Sequence, residues 1–247
     1  MDPSNERQLD QDALDQLSLQ LCPRRSGVGA VGLITMDEGS NSRLLFSSPK
    51  LTQVPLDALF AVARWLLDSG RFGLNTLKLE CRSESFALEP IDSRHFRISI
   101  APPTWQRQPL PDGVHHSGLQ TLDIEGRSYS VFPVESRDDF LVYLHTPEEL
   151  VYPELKALQT KAEERQRTAL RLTPLAPGEI RLDGIGIKDG ITAAACGGLA
   201  ARILGLTSEE VLVKMGGNPY FVQVQPDRRV DVTTTSAYVF SGQWSPQ

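Results

Sequence analysis

The chain has 247 residues, 25 Lys and Arg against 31 Asp and Glu, a formal net charge of −6 and 40% hydrophobic residues. That length supports one or two domains with real cores. The acidic balance excludes the basic footprint of a DNA- or RNA-binding protein and argues against an anionic membrane as partner. No run approaches the roughly 18 apolar residues of a membrane span. The polar stretch Met1–Asp10 lacks an apolar h-region, so no signal peptide is expected. Cys22, Cys81 and Cys196 form neither a CxxC pair nor a disulfide framework, which points to a reducing cytoplasm. Four scattered histidines make no metal site.

In chain order, Asp12–Leu21 reads as a helix with Leu14, Leu17 and Leu21 on one face, ended by Pro23. Val28–Thr35 and Arg43–Ser47 read as strands. Pro55 opens a helix whose Leu59, Val62, Ala63, Leu66 and Leu67 follow helical spacing, and Gly70 ends it. Strands follow at Thr76–Cys81, Ser85–Pro90 and His95–Ile100, then a proline-rich connector over 101–118 that contains His115 and His116. Further strands are predicted at Leu119–Glu125, Ser128–Glu135 and Phe140–His145. A charged helix is predicted over Pro147–Ala169, broken near Pro153, then strands at Ala169–Thr173 and Glu179–Leu182.

Gly190–Leu206 is the most informative segment. Only Thr192 and Arg202 are polar, and a helix that is apolar all round must be buried all round. Its small residues at 194, 197, 198 and 201 allow close packing. Strands Glu210–Met215, Tyr220–Gln225, Arg229–Thr235 and Ala237–Gly242 close the chain. The order helix, strand, strand, turn, strand occurs twice, ending at residues 100 and 235. This pattern suggests an ancient duplication giving two similar lobes.

"EIRLDGIGIKDGITAAACGGLAARILGL" (Glu179–Leu206) resembles the diaminopimelate epimerase stretch that runs from EIRL through ACGTG into an Ala-rich helix. "KDGITAAACGGLAA" is similar to the EDPATGSAAGALAA stretch of the phenazine-biosynthesis isomerases. "EEVLVKMGGNPYFVQV" resembles the EEV…PGG strand pair, "AYVFSGQW" the closing strand, and "SGVGAVGLI" and "ALFAVARWLLDSG" the first-lobe segments. The resemblance to the diaminopimelate epimerase-like superfamily covers most of residues 12–244. It implies an α+β fold of two pseudo-symmetric lobes, each a curved, mostly antiparallel sheet wrapped around a central helix. The expected parts are a tail over 1–11, an N-terminal lobe over 12–108 and a C-terminal lobe over 109–247, the last strand being a candidate to pair with the N-terminal lobe.

In that superfamily the epimerases place one thiol at the start of each central helix. There the free N–H groups and the helix dipole hold the substrate carboxylate and favour thiolate. On this alignment Pro55 and Gly190 stand where the two cysteines belong, and Leu56, Asp57 and Ala58 replace the GNG neighbours of the first. Cys196 lies about a turn and a half into the helix. The histidine of the GNPH segment is missing from "SRDDF" (Ser136–Phe140). Asp189 matches the phenazine-type Asp before the central helix, but Ala194 replaces its serine.

Asp189 therefore has two readings, a helix cap or a general acid–base group. Asp57, Gly190, Ile191 and Thr192 are the companion ligand-binding candidates, with capping the plain alternative for Thr192. Cys196 reads as a small core residue, Cys22 and Cys81 as structural, and Asp138–Asp139 as a solvated turn. The expected function is a non-racemising protein that binds a small anionic metabolite or a protein partner, such as a homologous epimerase subunit. The alternative is a cofactor-independent isomerase acting through Asp189 on a different substrate. Neither a cofactor nor a metal is expected, and a homodimer is an open alternative.

Overall fold

A computed structural model of the chain describes residues 10–23, 30–36, 43–73, 75–104, 119–145 and 153–236. The His115–His116 pair, the closing strand expected over 237–242 and the first part of the charged helix lie outside these residues. The chain divides into two compact units, Met1–Ser93 with Ala237–Gln247, and Arg94–Ser236.

The first unit opens with α1 (Gln11–Leu21), whose N-cap Asp10 accepts a 2.8 Å hydrogen bond from the Ala13 amide. The helix lies on β2 (Arg43–Ser47), which pairs antiparallel with β1 (Leu33–Met36). A buried hydrogen bond from Ser47 Oγ to Ser18 Oγ, 2.9 Å, joins helix and strand. After β2 the chain crosses through α2 (Leu56–Asp68) to β3 (Leu77–Cys81), parallel to β2, and turns back antiparallel into β4 (Glu84–Pro90). A parallel pair requires such a crossover. Helix α2 buries Leu56, Leu59, Phe60, Ala63 and Leu66 along one face.

The second unit contains β5 (His95–Ile100), β6 (Gln120–Ile124), β7 (Arg127–Glu135), β8 (Asp139–Leu144), α3 (Leu155–Glu163), β9 (Thr168–Ala176), β10 (Glu179–Gly184), α4 (Gly190–Ile203), β11 (Glu210–Met215), β12 (Asn218–Val224) and β13 (Val230–Thr235). Its strands lie in the order β5-β13-β12-β11-β10-β9-β8-β7-β6. Two pairs are parallel, β8 with β9 across α3 and β10 with β11 across α4. The sequence of antiparallel pair, helix crossover, parallel strand and antiparallel return seen in β1–β4 thus occurs again in β9–β12.

Helix α4 explains its own composition. It packs against every strand from β7 to β13, and all residues from Gly190 to Ala201 are buried. A side chain larger than hydrogen would collide on two sides. A Cβ on Gly197 would come within 2.3 Å of Leu182 on β10, and one on Gly198 within 2.7 Å of Val222 on β12. Both α2 and α4 end in a Schellman motif. Gly70 and Gly205 take φ of +67° and +72°, and the next amides, of Arg71 and Leu206, bond back to Leu66 and Ala201 at 3.1 and 2.9 Å.

Element boundaries depart from the sequence expectation in a few places. Helix α3 starts just after Pro153, where the sequence suggests a break, but ends at Glu163 rather than continuing to Ala169. Strand β9 runs on through Pro174 to Ala176, with a register shift against β10 between Glu179 and Ile180. A bulge of this kind absorbs the proline without breaking the ladder. The sheet separates two cores in this unit. One is built on α4; the other gathers Leu122, Ile124, Val131, Leu141, Tyr143 and Ala169 around Leu158 and Ala162 of α3.

Candidate functional site at the N-terminal end of α4

The segment between β10 and α4 is shaped by two glycines. Gly184 lets the Ile187 side chain pack where its own Cβ would stand, 2.7 Å from Ile187 Cδ1, and 3.0 Å from the Ala169 carbonyl. Gly186 turns the chain at φ +73°. These turns bring Asp189 to the N-cap in extended backbone (φ −139°, ψ 106°). The buried Asp189 carboxylate accepts from the Ile191 and Thr192 amides at 3.2 and 3.3 Å, and from Thr192 Oγ1 at 2.8 Å. A helix leaves its first N–H groups without intrahelical partners, and here the chain's own carboxylate meets them.

Asp189, Gly190, Ile191 and Thr192 are thus brought together, Ile191 and Thr192 fully buried. Asp57 stands exposed in the first turn of α2, in the other unit. The N-cap of α2 is Pro55, which supplies no side-chain acceptor to the helix.

Asp138, whose sequence reads as a solvated turn, is half-buried and lies within electrostatic reach of Asp189. It lies between β7 and β8, where Ser136 donates its amide to the Asp138 carbonyl at 3.1 Å. The base of this hairpin is held by the isolated bridge of Thr104 to Glu135, with amide–carbonyl distances of 2.7 and 2.8 Å, and by the Arg167–Glu135 ion pair. Burial pushes the Asp138 carboxyl above the usual carboxylate range. The Asp189 charge pushes it further, against the opposing pull of Lys188 and Arg137. The only sequence signal was the pair of adjacent carboxylates, which looks the same on any exposed turn.

All three cysteines are described, and all are buried. Cys22 is the C-cap of α1, Cys81 ends β3 and Cys196 sits inside α4. Burial raises the Cys196 thiol far above its ordinary value, and Asp138, Asp189 and Asp139 add to the effect. A thiol so placed stays protonated and shielded, the opposite of a reactive cysteine. Among the described residues no group of three or more His, Cys, Asp and Glu could hold a metal ion, and no helix is long and apolar enough to cross a membrane.

No family model matches the chain. It is 23% identical over 255 residues to a diaminopimelate epimerase of Desulfitobacterium hafniense, covering 92% of this chain and 87% of that one. Among solved structures, a phenazine biosynthesis PhzC/PhzF protein from Clostridium difficile superposes with a TM-score of 0.64 at 11% identity, over 97% of this chain and 90% of that one. A methylitaconate-delta-isomerase superposes with a TM-score of 0.55 at 14% identity, over 95% and 89%. These likenesses span nearly the whole chain, and its fold is that of the diaminopimelate epimerase-like superfamily.

Proposed function

We propose that this chain is a diaminopimelate epimerase-like protein without two-thiol racemase chemistry, which holds a small ligand or a protein partner beside the closed N-terminal end of α4 without turning it over. The observation that carries this reading is the state of that helix end. Where the superfamily's epimerases present free amides and a thiol, this chain presents Asp189, hydrogen-bonded to those amides. Its nearest thiol in sequence, Cys196, is buried in the helix. Two-base racemisation needs proton-carrying groups on both faces of one carbon, and neither α2 nor α4 offers a cysteine at its start.

The same contacts bear on the ligand. A small anionic metabolite would have to displace the Asp189 carboxylate and approach Asp138 as well. A neutral or cationic small molecule, or a partner such as a homologous epimerase subunit, meets no such opposition. No cofactor enters this reading. The recurrence of the β1–β4 order in β9–β12 supports descent by duplication.

A second reading is favoured by Asp138. A carboxyl raised by burial and a neighbouring carboxylate can keep its proton closer to neutral pH, as a general acid must. Paired with Asp189 it would serve a cofactor-independent isomerase acting on another substrate. Incubation with diaminopimelate and the common amino acids in deuterated water separates the two. The first reading expects no deuterium at any α-carbon. Incorporation that disappears in Asp189→Asn would overturn it in favour of the second.

A further inference from the structure

The core built on α3 and the core built on α4 lie on opposite faces of one sheet, and one arginine links the first to the turn that carries Asp138. Alternate residues along a strand face opposite sides. Val131 of β7 packs in the α3 core, and the β7–β8 register runs without a shift from Val131 opposite Tyr143 to Glu135 opposite Asp139. Glu135 therefore lies on the α3 face. The influence of Asp138 falls on the other face. Its carboxyl feels the charges of Lys188 and Asp189 at the start of α4, and its own charge reaches Cys196 inside that helix.

Arg167 is placed by the end of α3. The chain leaves the helix through Gln166 at φ +57°, and the Arg167 amide bonds back to the Ala162 carbonyl at 2.9 Å, a left-handed helix stop that fixes where residue 167 begins. The guanidinium then spans the mouth of the β7–β8 hairpin. Its Nη2 pairs with Glu135 Oε1 on the incoming strand, and its Nη1 donates to the Phe140 carbonyl on the outgoing one at 3.5 Å. Only Ser136, Arg137, Asp138 and Asp139 lie between these two anchors. Both side chains of the ion pair are mostly buried, and the Glu135 backbone is held on its other edge by Thr104. A planar guanidinium fork holds two acceptors in a fixed geometry, which an ammonium does not.

We propose that Arg167 is a positioning residue for the candidate site: from the α3 face it locks the β7–β8 turn in the place from which Asp138 reaches the start of α4. This role rests on the reading that puts the site beside that helix end. Arg167 acts through Glu135 and the turn rather than on a ligand.

Charge and position are separated by replacing the whole pair. Arg167→Met with Glu135→Gln removes one cation and one anion, and keeps Asp189, Lys188 and Arg137, which act on Asp138, and its neighbour Asp139. Replacing both partners avoids stranding one buried charge. Arg167→Lys is the milder companion, which keeps the charge and loses the fork. Amide hydrogen exchange and carboxyl NMR on the full chain read the result. In the double variant the Ser136 amide, bonded at 3.1 Å to the Asp138 carbonyl, exchanges at least about ten-fold faster relative to the Val142 amide inside β8. The Asp138 titration falls toward the ordinary carboxylate range as burial is lost, and adding Asp189→Asn lowers it less than in the otherwise unchanged protein. Arg167→Lys moves both readings the same way by a smaller amount. A Ser136 amide and an Asp138 titration that stay unchanged in both variants, or a uniform loss of protection that includes Val142, would overturn the proposal. These readings need neither ligand nor turnover, so their failure is distinct from deuterium incorporation, which tests the function.

Discussion

Replacing Asp189 tests whether the N-terminus of α4 is closed by the protein's own carboxylate. In Asp189→Ala the Ile191 and Thr192 amides and the Thr192 hydroxyl lose an acceptor now at 3.2, 3.3 and 2.8 Å. Ile191 and Thr192 are fully buried, so water is a poor substitute. Loss of an N-cap costs about 0.5–2 kcal/mol, and leaving a buried polar group unsatisfied costs about 1–3 kcal/mol. These costs overlap, so the expected loss is about 2–4 kcal/mol. Asp189→Asn keeps an acceptor oxygen, and Asn caps as well as Asp. It gives up a dipole interaction of about 0.3–1 kcal/mol and regains part of that by removing the repulsion on Asp138. Its expected cost is within about 1 kcal/mol. Urea unfolding followed by far-ultraviolet circular dichroism measures both, and carboxyl NMR follows Asp138, whose titration moves down toward the ordinary range in Asp189→Asn. An Asp189→Ala protein as stable as the wild type, or an Asn variant as damaged as the Ala variant, would refute the cap and with it the closed helix end.

Three further outcomes are expected. The raised Asp138 carboxyl binds its proton more tightly in the folded than in the unfolded chain, so its contribution is fully present below the ordinary Asp value and is lost as pH rises through the raised one; Asp138→Asn therefore stabilises the protein at neutral pH, and urea midpoints measured against pH show the gain vanish below the ordinary carboxylate range. Gly198→Ala gains up to about 1 kcal/mol of helix propensity but drives its Cβ within 2.7 Å of Val222 Cγ1 and 3.2 Å of Val211 Cγ1; β-branched side chains cannot turn aside, overpacking costs about 1–3 kcal/mol, and the net is a destabilisation of about 1–2 kcal/mol in urea titrations. Cys196 resists iodoacetamide in the native protein and is alkylated only as fast as the chain unfolds, which mass spectrometry with and without urea reads directly; rapid native labelling would place the thiol in an open site.

Much of the architecture was legible from local pattern alone. Helix α4 could be placed because a run with only two polar residues has no solvent face to offer, and that requires enclosure. The strands of both units showed alternating apolar residues between turn residues, and Gly70 and Gly205 marked helix ends through a backbone conformation that other residues adopt reluctantly. The capping role of Asp189 was readable for the same reason: its partners lie two and three residues along the chain.

What the tertiary structure alone decided depends on residues far apart in sequence. Asp138 and Asp189 are separated by fifty residues, and Asp189 acts on the Asp138 carboxyl only because the fold carries the β7–β8 turn within electrostatic reach of the start of α4. No composition or spacing encodes that approach. The β7–β8–β9 register likewise brings Arg167 to Glu135. A one-residue slip of β7 would send Glu135 to the opposite face, and register is set by the packed core rather than by any single strand. Short-range periodicity determined which elements form; the pairing of distant strands determined which charges face each other.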